Sequence, residues 1–198
     1  MIPVLSAIAD RRSIRVFQDR PVESEKIAAL LEAARLAPSS INLQHTRILV
    51  VDQPADLAVV RRAAYDLPAV VAAPVVLVAM ADVGADGELA QHIAEVQAAS
   101  PPCDMGALRS GRGKPITLKM GREWALINAA IATENLVLQA TSMGLGTVWN
   151  HHFEHDEVRD HFGIPSTFEL LSLIPVGYPA EQPGPRPRRA SVRWESSR

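Results

Sequence analysis

The chain has a single cysteine, Cys103, in 198 residues. One thiol excludes an intrachain disulfide framework and any metal site built on several cysteines, and a reducing cytoplasm is the expected compartment. Neither sign of charge is in excess: 20 Lys and Arg face 22 Asp and Glu, a formal net charge of −2. A protein that gripped nucleic acid by bulk electrostatics would be basic, so no nucleic-acid partner is expected. Long apolar runs are missing too. The longest nearly apolar stretch, residues 67–81, is broken by Pro68 and Pro74. It falls short of the roughly 20 residues that a membrane-spanning helix needs, and no membrane partner is expected. Residues 1–10 lack the basic start and long apolar segment of an export signal. Nucleophile-elbow, P-loop and zinc-protease patterns do not occur. What is present, 47% hydrophobic residues, suits one globular core, and residues 1–198 are read as one domain.

Periodicity predicts a short helix over residues 1–11 and a second over 21–35, where Ile27, Leu30, Leu31 and Ala34 recur at helical spacing. Ser24 is its expected cap, and Pro38 stops it. Residues 47–52 and 75–80 read as strands, residues 54–65, 67–73 and 86–99 as helices. Residues 100–120 hold three prolines and three glycines and read as a long pocket-covering loop. Residues 123–143 form the longest helix. Its Trp124, Leu126, Ile127, Ile131, Leu136, Val137 and Leu138 point in many directions, as in a helix buried on all sides or at a subunit interface. Short strands over 147–149 and 169–176 flank a helix over 156–162. The tail from residue 179 carries Pro183, Pro185 and Pro187 and lies extended. Strands and helices without strict alternation give an α+β class, a small, mostly antiparallel sheet covered by helices.

Few residues suggest chemistry. Arg11, Arg12, Ser13 and Arg15 place three guanidinium groups and a hydroxyl within five residues, donors that match phosphate oxygens; the same residues also suit a solvated basic turn paired with Asp10 and Asp19. Pro38, Ser39, Ser40, Asn42 and Gln44 offer donors and acceptors for the polar edge of a flat heterocycle, or form an ordinary Ser-rich connection. Gly144-Leu145-Gly146-Thr147 lets backbone approach a ligand, or simply ends a helix. His151, His152 and His155 match no metal spacing, and no metal is expected. Arg186, Arg188 and Arg189 sit in the tail. With no catalytic cluster, a cofactor is the expected carrier of any chemistry.

Taken in order, Arg11-Arg12-Ser13-Ile14-Arg15-Val16-Phe17, Pro38-Ser39-Ser40-Ile41-Asn42-Leu43-Gln44, Glu134-Asn135-Leu136, Gly144-Leu145-Gly146-Thr147 and Ile174-Pro175-Val176-Gly177-Tyr178 resemble the FMN-dependent nitroreductase family over nearly the whole chain. The resemblance implies a homodimeric α+β sandwich whose long central helix builds the interface and whose C-terminal tail wraps the partner subunit. It implies FMN at that interface. Arg11, Arg12, Ser13 and Arg15 would hold its phosphate, with Arg186 and Arg188 closing over it. Pro38, Ser39, Ser40, Asn42 and Gln44 would reach the flavin from the other subunit. Gly144, Leu145 and Gly146 would run behind the ring. Trp149, Asn150 and His151 fall where family members offer main-chain donors from a Pro-x-Glu-Gly run, whose Glu and Gly this chain lacks. Residues 100–120 would set substrate choice. The implied activity passes hydride from NADH or NADPH through FMN to a small acceptor of nitroaromatic, quinone or enone type, in two steps through one pocket. A specialised relative (a dehalogenase, a peptide or dipeptide oxidase, a flavin-consuming enzyme) and a non-catalytic flavin-binding protein are the alternatives.

Overall fold

The structure, a computed structural model, describes residues 3–84 and 118–188. A four-stranded sheet in the order β1-β2-β4-β3 organises it. The strands are β1 (Thr46–Val51), β2 (Val75–Asp82), β3 (Gly146–Thr147) and β4 (Phe168–Gly177), and every neighbouring pair is antiparallel. Six α-helices are described: α1 (Val4–Asp10), α2 (Ser24–Arg35), α3 (Pro54–Ala63), α4 (Pro68–Ala72), α5 (Leu118–Ser142) and α6 (His155–Phe162). Among the described residues one 3-10 turn, Ser40–Asn42, lies between α2 and β1.

β2 is buried on both faces, and its alternation sorts the core into two layers. Val76, Val78 and Met80 face a cluster with Leu57 and Val60 of α3 and Val158 of α6. Val75 and Leu77 face the other way, onto Leu30 of α2 and Leu136 and Val137 of α5. The result is the expected α+β sandwich, with a sheet between two helical layers. β4 carries a bulge opposite β2, where Ala79 pairs with Ser172 but Met80 pairs with Leu170. Leu171 is the extra residue, and its carbonyl leaves the ladder.

The expected elements return with shifted ends. α2 begins at Ser24 itself, with Glu23 extended at the cap position and no side-chain cap bond; Ser24 is not the cap. α5 starts earlier than expected, so residues 118–120 belong to it and not to the loop. The rest of that loop, Cys103 included, and the helix expected over 86–99 lie outside the described residues. β3 spans two residues rather than reaching Trp149, because Asn150 pairs separately with Leu173. No helix among the described residues is long and apolar enough to cross a membrane.

A cluster at the start of α2 ties it to the end of the sheet. The Tyr178 hydroxyl donates to Glu23 at 2.6 Å, and Arg20 donates to the same carboxylate at 2.8 Å. The Tyr178 hydrogen bond, with Arg20 and Lys26 beside it, pushes the Glu23 carboxyl from 4.5 down to about 2. A depressed folded pKa means that this stabilisation is full above the ordinary carboxylate value and is lost as pH falls toward about 2. Urea unfolding of the wild type and of Glu23→Gln should therefore differ most above pH 4.5 and converge as the pH approaches about 2. A constant gap across that window would contradict the assignment.

Candidate functional site

α1 ends at Arg11, whose backbone turns extended (φ −54°, ψ 130°). The chain then runs beside β3: Ser13 bridges Thr147 in parallel, and the Ile14 amide donates to the Thr147 carbonyl at 2.9 Å. Gly146 makes this approach possible. A methyl group there would lie 2.7 Å from Ile14 Cγ1, closer than side chains pack.

The tail returns to the same place. Gln18 donates to the Tyr178 carbonyl at 2.8 Å, and Ala180 to the Val16 carbonyl at 2.9 Å. One carboxylate oxygen of Glu181 accepts the amides of Arg15 at 2.5 Å and Val16 at 3.1 Å. These bonds carry the following prolines across the end of α1. Arg11, Arg12, Ser13 and Arg15 from one end of the chain, and Arg186 and Arg188 from the other, line one cleft of about 560 Å³. As far as Arg188 the tail thus lies on its own chain, and residues beyond it lie outside the described ones. The bonds to the 15–18 edge come from residues 178–181, and the backbone from 182 to 188 makes none to that edge.

The cleft is strongly cationic and under-compensated. Arg186 and Arg188 have no ion pair or hydrogen bond among the described residues, nor does the Ser13 hydroxyl. Arg11 meets one carboxylate among the described residues, Glu134, with a nearest approach of 3.6 Å at Nε. Arg12 is partly diverted. Its Nη1 donates to the Ala9 and Arg11 carbonyls at 2.7 and 2.8 Å, which caps α1, and its Nε is buried without a partner. Arg15 donates to the Ser13 carbonyl at 3.2 Å. Free guanidinium nitrogens converging with a hydroxyl are the donor set of a phosphate dianion. Gly144, Leu145 and Gly146 line an adjoining cleft of about 460 Å³ that shares Arg12.

The Ser-rich segment lies elsewhere in the chain. Pro38, Ser39 and Gln44 line a separate pocket of about 120 Å³ with Arg47 and Asn128. Ser40 donates to Asn128 from its amide and hydroxyl at 3.2 and 3.3 Å, and the Gln44 amide donates to the Ser39 hydroxyl at 2.9 Å. Asn42 (φ 59°) and Gln44 (φ 53°) hold left-handed backbone, which for residues with side chains costs on the order of 1 kcal/mol each. Within one chain, then, the phosphate-type cleft and the Ser-rich pocket are two places, not one.

The segment after β3 is clamped to β4. Asn150 and Leu173 exchange two backbone bonds of 2.9 Å, and the Ser172 hydroxyl donates to the Asn150 carbonyl at 3.0 Å. The carbonyl freed by the Leu171 bulge meets His151 Nδ1 at 2.9 Å. A carbonyl only accepts, so Nδ1 carries the proton and Nε2 of this exposed ring faces outward. The Trp149 indole donates to Glu134 at 3.1 Å, and its ring centroid lies 5.5 Å from that of His151. His152 packs instead on Tyr65, at 4.9 Å, and His155 on Phe153, at 4.2 Å. The three histidines serve three different neighbours. Among the described residues no three His, Cys, Asp or Glu side chains gather where a metal ion could sit.

Four residues here had no role assigned from the sequence. Asn128 and Glu134 sit inside α5, and the polar interruptions of an apolar helix were the available signal. Tyr65 and Asp66 form a corner with φ of 54° and 52°. Tyr65 donates to Glu154 at 2.5 Å, which pushes the phenol pKa up. Nothing in the sequence marks that corner.

Comparison with known proteins agrees with this architecture. The model of the nitroreductase family matches residues 8–178. A curated relative from Thermus thermophilus named NADH dehydrogenase is 36% identical over 197 residues, which cover 94% of this chain and 93% of its own. A relative from Bacillus subtilis named FMN reductase [NAD(P)H] is 28% identical, with 95% of this chain and 70% of its own covered. A structure from Exiguobacterium sibiricum, solved in complex with FMN, shares the fold at a TM-score of 0.81, with 22% identity and 98% of each chain covered. With the family model spanning the fold from α1 to the end of β4, the chain belongs to the nitroreductase family.

Proposed function

We propose that the chain is an NAD(P)H-dependent FMN oxidoreductase, a single-domain homodimer of the cytoplasm that reduces small nitroaromatic, quinone or enone acceptors. One observation carries the reading: five arginines and Ser13, drawn from both ends of the chain, line one under-compensated cleft. FMN, when bound, would supply the redox chemistry that links NADH or NADPH to the acceptor. The relative named FMN reductase [NAD(P)H] supports the choice of cofactor and reductant.

The residues present fit that group. Arg11, Ser13, Arg15, Arg186 and Arg188 would bind its phosphate, with Arg12 contributing what α1 leaves free. The backbone at Gly144, Leu145 and Gly146 comes close because Gly146 has no Cβ to strike Ile14. The segment Trp149, Asn150, His151 would meet the ring with a backbone already fixed to β4, so little ordering is needed on binding. Pro38, Ser39, Ser40, Asn42 and Gln44 would reach the flavin of the partner subunit, which accounts for their place in a separate pocket. α1 and α5 pack together and leave Leu5, Ile8, Ile127 and Ile131 exposed. Apolar side chains left in water on two packed helices suit burial in a subunit interface. No protein nucleophile is required. The chain's part is to hold the rings and stabilise developing negative charge with fixed cations and amides.

If reductant and acceptor use one pocket in turn, initial rates measured against both should give parallel double-reciprocal lines. Intersecting lines would mean that both bind together and would contradict the single shared pocket.

A further inference from the structure

We propose that Glu134 is a positioning residue that holds the Arg11 fork and the Trp149 side chain in register, so that the phosphate cleft and residues 149–151 act as one unit. The proposal rests on the FMN reading above and adds to it a residue that lines neither cleft.

Glu134 lies on α5 with its carboxylate between the end of α1 and the residues just past β3. One oxygen faces Arg11 Nε at 3.6 Å, at the end of α1. The other accepts the Trp149 indole N–H at 3.1 Å, just past β3. The nearest approach to Arg11 is at Nε, and neither terminal nitrogen of the fork makes a hydrogen bond among the described residues. Those nitrogens are a pair that can grip a phosphate end-on, with two parallel bonds. A carboxylate is required for the double task. It offers two accepting oxygens, whereas glutamine would turn an N–H₂ toward one of two donors. Trp149 in turn packs on His151 at 5.5 Å, whose Nδ1 is fixed by the Leu171 carbonyl. A continuous set of contacts thus runs from the cleft through Glu134 to the outward-facing ring of His151.

The test compares FMN with riboflavin, which lacks the phosphate. The flavin-free full chain is titrated with each, and the ratio of the two dissociation constants is read together with the Trp149 emission. Glu134→Ala should lower the preference for FMN about two- to fivefold, the size of a lost charged contact at a half-exposed site, and should shift the emission. Glu134→Gln should lower the preference similarly while keeping the emission, since its carbonyl still accepts from the indole. Trp149→Phe should remove the part of the tryptophan emission that Glu134→Ala shifts, leaving that of Trp124 and Trp194, and should keep the preference, because the Arg11 pair remains. An unchanged ratio in both Glu134 variants would overturn the proposal. So would equal losses for FMN and riboflavin, the mark of a merely loosened fold. A wild type that binds neither flavin would instead overturn the FMN reading beneath it.

Discussion

Replacing Arg11 by alanine should strip FMN from the protein and leave the fold standing. A charge-assisted contact to phosphate contributes about 1.5–3 kcal/mol, so the dissociation constant should rise about ten- to a hundredfold. Stability should change little. Arg11 is partly exposed, and its one partner sits at 3.6 Å; such a pair contributes about 0–1 kcal/mol. Glu134 is left without its cation but stays half-exposed, where water can solvate it. The check is a titration followed by quenching of flavin fluorescence, beside a thermal melt of the flavin-free protein. A variant that binds FMN as the wild type does would remove Arg11 from the site, and with it the reason for reading the cleft as a phosphate cradle.

The second large effect concerns assembly. Changing Ile127 and Ile131 together to glutamate should give a soluble monomer that has lost its flavin. Ile127 is 57% and Ile131 39% exposed in the single chain, so the change leaves the core intact. Burying two carboxylates against a partner's apolar surface costs several kcal/mol each unless they are paired. The flavin should leave with the partner, because the pocket of Pro38, Ser39 and Gln44 would then serve no flavin. Light scattering of the eluting peak, read with absorbance near the flavin band, measures both at once. A yellow monomer would contradict a site shared between subunits, and a persistent dimer would move the interface off α5.

The fold was largely legible because it follows from periodicity. The 75–80 run is apolar at every position, and it became the central strand, buried on both faces. The apolar scatter along residues 123–143 became α5, with Leu136 and Val137 inward and Ile127 and Ile131 outward. Ends were less legible. Ser24 is a residue type that caps helices, but Glu23 takes the cap position and gives its carboxylate to Arg20, three residues back, and to Tyr178, far along the chain. That competition is tertiary and leaves no local mark.

The site divides in the same way. Its arginines were visible as a cluster, but composition could not tell which nitrogens remain free. Arg12 looks identical to Arg11 in sequence. The structure separates them, since Arg12 turns back to cap α1 while Arg11 keeps its terminal nitrogens open. The meeting of tail and α1 depends on Glu181 accepting two amides from residues 15 and 16, a pairing that no spacing rule predicts. The bulge at Leu171, which orients His151, is likewise a property of strand register and not of residue type.

The central claim is that the arginine-lined cleft serves FMN and that NADH or NADPH reduces it there. The most direct measurement is the visible spectrum of the purified protein, saturated with FMN and titrated without oxygen by NADH or NADPH, then by a quinone. A bound flavin band should bleach with the reductant and return with the quinone. A protein that binds no flavin, or a bound flavin that neither nucleotide bleaches, would contradict the claim.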